Sequence, residues 1–91
     1  MGVIRQKARI CNAAGLHARA AGKLVQLCGK FKSEIKIVRG RSAANAKSIM
    51  GVMMLAAACG AQVTIEARGS DAKKAADAVA RLINGKFGEG K

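Results

Sequence analysis

Glu34-Ile35-Lys36-Ile37-Val38-Arg39-Gly40-Arg41-Ser42-Ala43-Ala44 alternates charged and apolar side chains through its first four positions and then meets a glycine set between two arginines. Successive side chains of a strand point to opposite faces, so this spelling predicts a strand with one wet and one apolar face. The Arg39-Gly40-Arg41 turn predicts a hairpin into a short strand ending near Ala44. A sheet built from such strands is mostly antiparallel and is covered by helices on its apolar side alone.

The same alternation recurs on either side of the hairpin. From Val3 to Cys11, Arg5, Lys7 and Arg9 fall on one side and Ile4, Ala8 and Ile10 on the other. Gln62 to Ala67 sets Val63, Ile65 and Ala67 facing one way. Between and after these strands the period changes to that of a helix. Ala21, Leu24, Val25 and Cys28 share one face of a segment that Gly29 is placed to end. Asn45 or Ser48 can cap a second helix through Met50 and Met53, with Gly51 limiting its length and Gly60 closing the segment. Ser70 is placed to cap a third, which turns Ala72, Ala75, Ala76, Val79 and Ile83 to the core and stops at Asn84-Gly85. The expected fold is α+β: an open-faced sandwich of four strands, mostly antiparallel, with three helices on one face in the order βαββαβα.

Ninety-one residues without a repeat or linker make one domain, 1–91, and residues 86–91 read as a loose tail. Nineteen of the apolar residues are Ala and only Phe31 and Phe87 are aromatic, so the core must be Ile, Val, Leu and Met packed against small side chains. Neither length nor composition leaves room for a large enclosed active site. Seventeen Lys and Arg against five acidic residues give a formal charge of +12, a surface that wants an acidic partner: nucleic acid, an anionic membrane or an acidic protein face.

Arg5, Lys7 and Arg9 interrupt any early hydrophobic run, and the longest apolar stretch, Ile49 to Cys59, is too short to cross a bilayer. A cytoplasmic protein without membrane insertion is expected. Cys11, Cys28 and Cys59 are too far apart for a zinc or redox motif and read as small core residues in a reducing compartment. Neither a metal nor a cofactor is called for.

The only histidine, His17, sits where the first loop turns into the first helix. An opening helical turn offers unpaired N–H groups and the positive end of the dipole, which favours an anion and keeps an imidazole neutral. Arg19 can add a guanidinium fork that fits phosphate oxygens. The residues by themselves point to an anion site and leave open a capping or surface histidine without chemistry.

Gly15-Leu16-His17-Ala18-Arg19-Ala20-Ala21 resembles the phosphohistidine signature of the HPr family of phosphocarriers, and Asn45-Ala46-Lys47-Ser48-Ile49-Met50-Gly51-Val52-Met53 resembles its second signature. The likeness extends over nearly the whole chain. It implies a stoichiometric phosphoryl carrier of the bacterial phosphotransferase system, not an enzyme. A phosphoryl group derived from phosphoenolpyruvate would arrive from enzyme I on Nδ1 of His17, with Arg19 as its electrostatic partner, and leave to a downstream enzyme II A-type acceptor. The resemblance also implies regulation at Ser48 by an HPr kinase/phosphorylase, whereas the residue alone reads as a helix cap. Ile49, Met50 and Met53 resemble the family's docking patch, although Met at helical spacing also suits a core. The family usually has Pro where this chain has Ala20, so the preset backbone angle of that first turn is missing.

A monomer that does not engage nucleic acid is the expectation. A small nucleic-acid module is the alternative that the charge favours, and it is weakened by the near absence of aromatics to stack on bases. A regulatory domain that has lost transfer is a third reading. Either the sugar-transport or the nitrogen-related branch of the system fits the residues.

Overall fold

The computed structural model describes residues 2–91 of the chain. Strand β1 (Ile4–Arg9) leads to helix α1 (Ala18–Cys28), hairpin strands β2 (Glu34–Arg39) and β3 (Ser42–Asn45), helix α2 (Ile49–Met54), strand β4 (Gln62–Arg68) and helix α3 (Ala72–Asn84). The sheet order is β1-β4-β2-β3, and all three pairings are antiparallel.

Register sorts the sheet into the two faces that the alternation requires. Ile4 opposes Ala67, Ala8 opposes Val63, and Ile37 opposes both Ile65 and Ala44. Those pairs turn toward the helices, and Ile35, Ile37, Val63, Ile65 and Ala67 are buried. The opposite face pairs Arg5 with Glu66, Lys7 with Thr64 and Lys36 with Glu66. Leu24 and Cys28 of α1, Val52 of α2 and Ala75, Ala76, Val79 and Ile83 of α3 complete the core. Each fully buried Leu, Ile or Val contributes about 1.5–3 kcal/mol, while the alanines let the helices sit close to the sheet. The helix-facing side of an open-faced sandwich is thereby closed and the other side is left to solvent.

One helix end departs from the sequence reading. The N-cap position of α3 is Asp71, not Ser70, and among the described residues no side chain caps that helix. Asp71 turns instead to the loop before β2, where its carboxylate accepts from Lys32 N–H at 2.9 Å, Ser33 N–H at 3.0 Å and the Ser33 hydroxyl. The Ser33 hydroxyl and the backbone donors hold the Asp71 carboxyl below its usual range. Gly29 ends α1 as expected, but in a right-handed conformation, its N–H donating back to Val25.

The largest correction concerns residues 86–91, which are docked, not loose. Phe87 is fully buried and joins the core. Lys86, Phe87 and Gly88 take left-handed backbone angles in succession, φ 58°, 55° and 76°, and fold the chain back over the domain. A left-handed non-glycine residue costs about 1–3 kcal/mol, which offsets much of the gain from burying one aromatic ring. Polar ties add to that burial: Lys23 Nζ donates to the Phe87 carbonyl at 2.6 Å, and Ala13 N–H donates to the Lys91 carbonyl at 3.0 Å.

The cysteines are also not all core. Cys28 is buried, and burial pushes its thiol up to about 11, but Cys11 is half-buried and Cys59 is exposed. Cys59 follows the short α2 in the loop before β4, where neither sheet nor helix periodicity directs a side chain inward.

Candidate functional site

His17 is the N-cap of α1, with extended backbone at φ −76° and ψ 179°. Its carbonyl accepts from Ala21 N–H at 2.8 Å, and its ring supplies the side-chain cap, Nδ1 accepting from Arg19 N–H at 3.3 Å. A backbone N–H can only donate, so Nδ1 presents its lone pair to the helix N-terminus and the ring hydrogen lies on Nε2. The dipole of α1 and the Arg19 N–H of its opening turn therefore act on one nitrogen of one imidazole.

The loop before α1 is held by a close backbone approach. Gly15 has φ 67°, and a Cβ there would stand 2.6 Å from the Ala57 carbonyl oxygen and 2.9 Å from Ala58 Cα. Only glycine fits this position. Leu16 N–H donates to the same Ala57 carbonyl at 2.9 Å, which ties the histidine loop to the segment that leaves α2. Ala20 is fully buried in the first turn of α1, and the helix begins at Ala18 without the family's proline.

Glu89, which no local pattern in the sequence singled out, completes the surroundings of the ring. Nε2 of His17 donates to Glu89 Oε2 at 2.5 Å. Glu89 Oε1 accepts from Asn12 Nδ2 at 2.9 Å, and the same amide nitrogen donates to the Gly15 carbonyl at 2.8 Å. Hydrogen bonds from Asn12 and then His17 hold the Glu89 carboxyl below its usual range. Asn12 is fully buried, and its Oδ1 has no partner among the described residues. A buried acceptor left unpaired costs about 1–3 kcal/mol, which the fold bears where one side chain joins the histidine loop to the tail.

Arg19 lies two residues into the turn with an exposed side chain. Ser48 is the N-cap of α2, its hydroxyl accepting from Gly51 N–H at 3.2 Å; Asn45 instead makes a local turn, Oδ1 accepting from Lys47 N–H at 2.9 Å. Ile49 and Met53 are 44% and 38% exposed and Met50 71%, so they form surface and not core. Met54, 80% exposed, widens the patch beyond the residues that the sequence singled out. Basic residues lie on β1, α1, β2, β4 and α3, and Arg5 is paired with Glu66 at 3.2 Å. Among the described residues no helix is long and apolar enough to cross a membrane.

A signature of this kind has known counterparts. Residues 4–85 match the family model described as the PTS HPr component phosphorylation site. The chain is 50% identical to the phosphocarrier protein HPr of Cupriavidus necator over 97% of its own length and 99% of the relative's. It is 43% identical to the phosphocarrier protein NPr of Shewanella violacea over 94% of each chain. The solved structure of HPr-C-His from Thermoanaerobacter tengcongensis superposes with a TM-score of 0.89 at 41% identity, covering 100% of both chains. With a family match across nearly all of the fold and relatives that share up to half of its residues, the chain belongs to the HPr family of the phosphotransferase system.

Proposed function

We propose that this chain is a phosphocarrier of the bacterial phosphotransferase system and that Nδ1 of His17 is the atom that carries the phosphoryl group. One observation carries the assignment of the atom: in a member of this family, the lone histidine aims Nδ1 at the opening N–H of α1. When a donor's phosphorus approaches, the Nδ1 lone pair forms the new N–P bond and the donor keeps the electron pair of the bond that breaks. The Arg19 N–H that now caps the ring is then free to meet a phosphoryl oxygen. The helix dipole and the Arg19 guanidinium stabilise the same charge. Positioning and electrostatics are most of what phosphoryl transfer asks of a protein, so the carrier needs no cofactor.

The donor in this reading is enzyme I and the recipient a downstream enzyme II A-type acceptor, both met in the cytoplasm by a monomeric carrier. The exposed Ile49, Met50, Met53 and Met54 of α2, a helix that packs against α1, supply an apolar docking patch. Ser48, the cap of α2 at the border of that patch, is the position for regulation by an HPr kinase/phosphorylase. The test is a chase. Chain loaded with radiolabelled phosphoryl from phosphoenolpyruvate, Mg²⁺ and enzyme I is freed of donor and given an enzyme II A-type acceptor. Label should move to the acceptor; label released only as inorganic phosphate would contradict a carrier role.

A further inference from the structure

We propose that Glu89 is a positioning residue for phosphoryl transfer, holding the Nε2 proton of His17 so that Nδ1 is the free nucleophile and the positive charge that forms on the ring has a carboxylate beside it. The inference rests on His17 being the phosphoryl acceptor. An imidazole has two nitrogens and, when neutral, one proton, and whichever nitrogen holds the proton cannot attack. In this chain both are assigned: Nδ1 faces the helix N–H and Nε2 faces the carboxylate.

The electron balance makes the carboxylate useful beyond orientation. When Nδ1 gives its lone pair to phosphorus and the Nε2 proton stays in place, the ring becomes a phosphorylated imidazolium. Its positive charge is shared between the two nitrogens. Glu89 then lies against a cation, so its contact strengthens as the N–P bond forms and the donor leaves with its electron pair. When an acceptor attacks the phosphorus, the pair returns to Nδ1 and the ring is neutral again. No proton has to move in either direction.

The tail is shaped to deliver this one side chain. Three successive left-handed residues and a fully buried Phe87 set the position of Glu89. The buried amide of Asn12 fixes the other carboxylate oxygen, and Lys23 from α1 fixes the Phe87 carbonyl. The His17 ring and the Lys23 ammonium act on the carboxylate, and Arg19 follows in the first turn of the helix that His17 caps.

The test compares wild type with Glu89→Gln, an isosteric neutral variant that can still accept from Nε2, and with Glu89→Ala. Three quantities are read: the rate of phosphorylation by enzyme I, the equilibrium between phosphorylated enzyme I and phosphorylated carrier, and the pH at which the phosphorylated ring loses its Nε2 proton, followed by phosphorus NMR. Loss of one charge-assisted contact should slow transfer about tenfold in both variants. The equilibrium should move toward phosphorylated enzyme I, and the phosphorylated ring should release its proton at lower pH. A tail with only a structural role would change melting temperature and leave the last two readings as in wild type. If Glu89→Gln matches wild type in all three, or transfers faster, the positioning role is overturned while the carrier function stands. If wild type itself takes up no phosphoryl group, it is the carrier reading that fails.

Discussion

Nε2 of His17 meets the carboxylate of Glu89 although 72 residues separate them in sequence. The contact exists because the chain beyond α3 returns across the first loop instead of running into solvent, and its anchor is the buried ring of Phe87. A residue outside every regular strand and helix thus faces the one imidazole of the protein.

The anchor can be tested separately from the carboxylate. Phe87→Ala should lose about 3–5 kcal/mol of stability, as buried aromatic truncations do. It should also expose the tail amides to rapid hydrogen exchange. Unchanged melting with a tail already unprotected in wild type would contradict the docked arrangement.

Ser48 offers a choice between cap and switch. Ser48→Ala should cost about 0.5–2 kcal/mol because it removes the acceptor of Gly51 N–H. Ser48→Asp keeps a capping oxygen, so it should melt close to wild type while its charge beside Ile49 and Met53 slows phosphorylation by enzyme I. A Ser48→Asp protein that melts early and is phosphorylated at the normal rate would make the serine a cap alone.

Asp71 and Glu89 make the folded state sensitive to acid. Both carboxyls are held below their usual range by hydrogen bonds, from Ser33 and Lys32 in one case and from Asn12 and His17 in the other. The folded state therefore binds these protons less readily than the unfolded chain. Their contribution is fully present above the ordinary carboxylate range and is lost as pH falls through the lower folded values. Urea unfolding from neutrality into acid should show stability falling on that side, with a shallower fall in Asp71→Asn, which should also be less stable than wild type at neutral pH. Equal acid slopes in the two proteins would remove Asp71 as a cause.

These cases show what the sequence could and could not reveal. The strands were legible because each buries only one face, so the alternation of Ile35 and Ile37 with Glu34 and Lys36 survives in the spelling. Ser48 was legible because capping is local: the hydroxyl and the N–H it meets are three residues apart. Asp71 was overlooked in favour of Ser70 because its partners, Lys32 and Ser33, come from another part of the chain, and Ser70 has the capping chemistry that a local reading favours. Asn12 and Glu89 were missed for the same reason, since each acquires its role only when the tail folds back. The left-handed turn that brings the tail home falls on Lys86 and Phe87, which carry no spelling for such a turn.

Arg19 separates charge from nucleophile. Its side chain is exposed, so Arg19→Ala should melt like wild type. It should nevertheless lose contacts to the phosphoryl oxygens worth roughly 1.5–3 kcal/mol, slowing transfer by about one to two orders of magnitude. Stopped-flow transfer from phosphorylated enzyme I decides this, and a rate equal to wild type would remove the guanidinium from the site.

The most direct measurement is phosphorylation of the chain by phosphoenolpyruvate, Mg²⁺ and its cognate enzyme I, followed by nitrogen NMR of labelled histidine. The wild type should take up one phosphoryl group, stable in base and labile in acid, with the new bond on Nδ1 of His17, and His17→Ala should take up none. Phosphorylation of His17→Ala, attachment at Nε2, or a wild type that accepts nothing from an active cognate enzyme I would contradict the assignment.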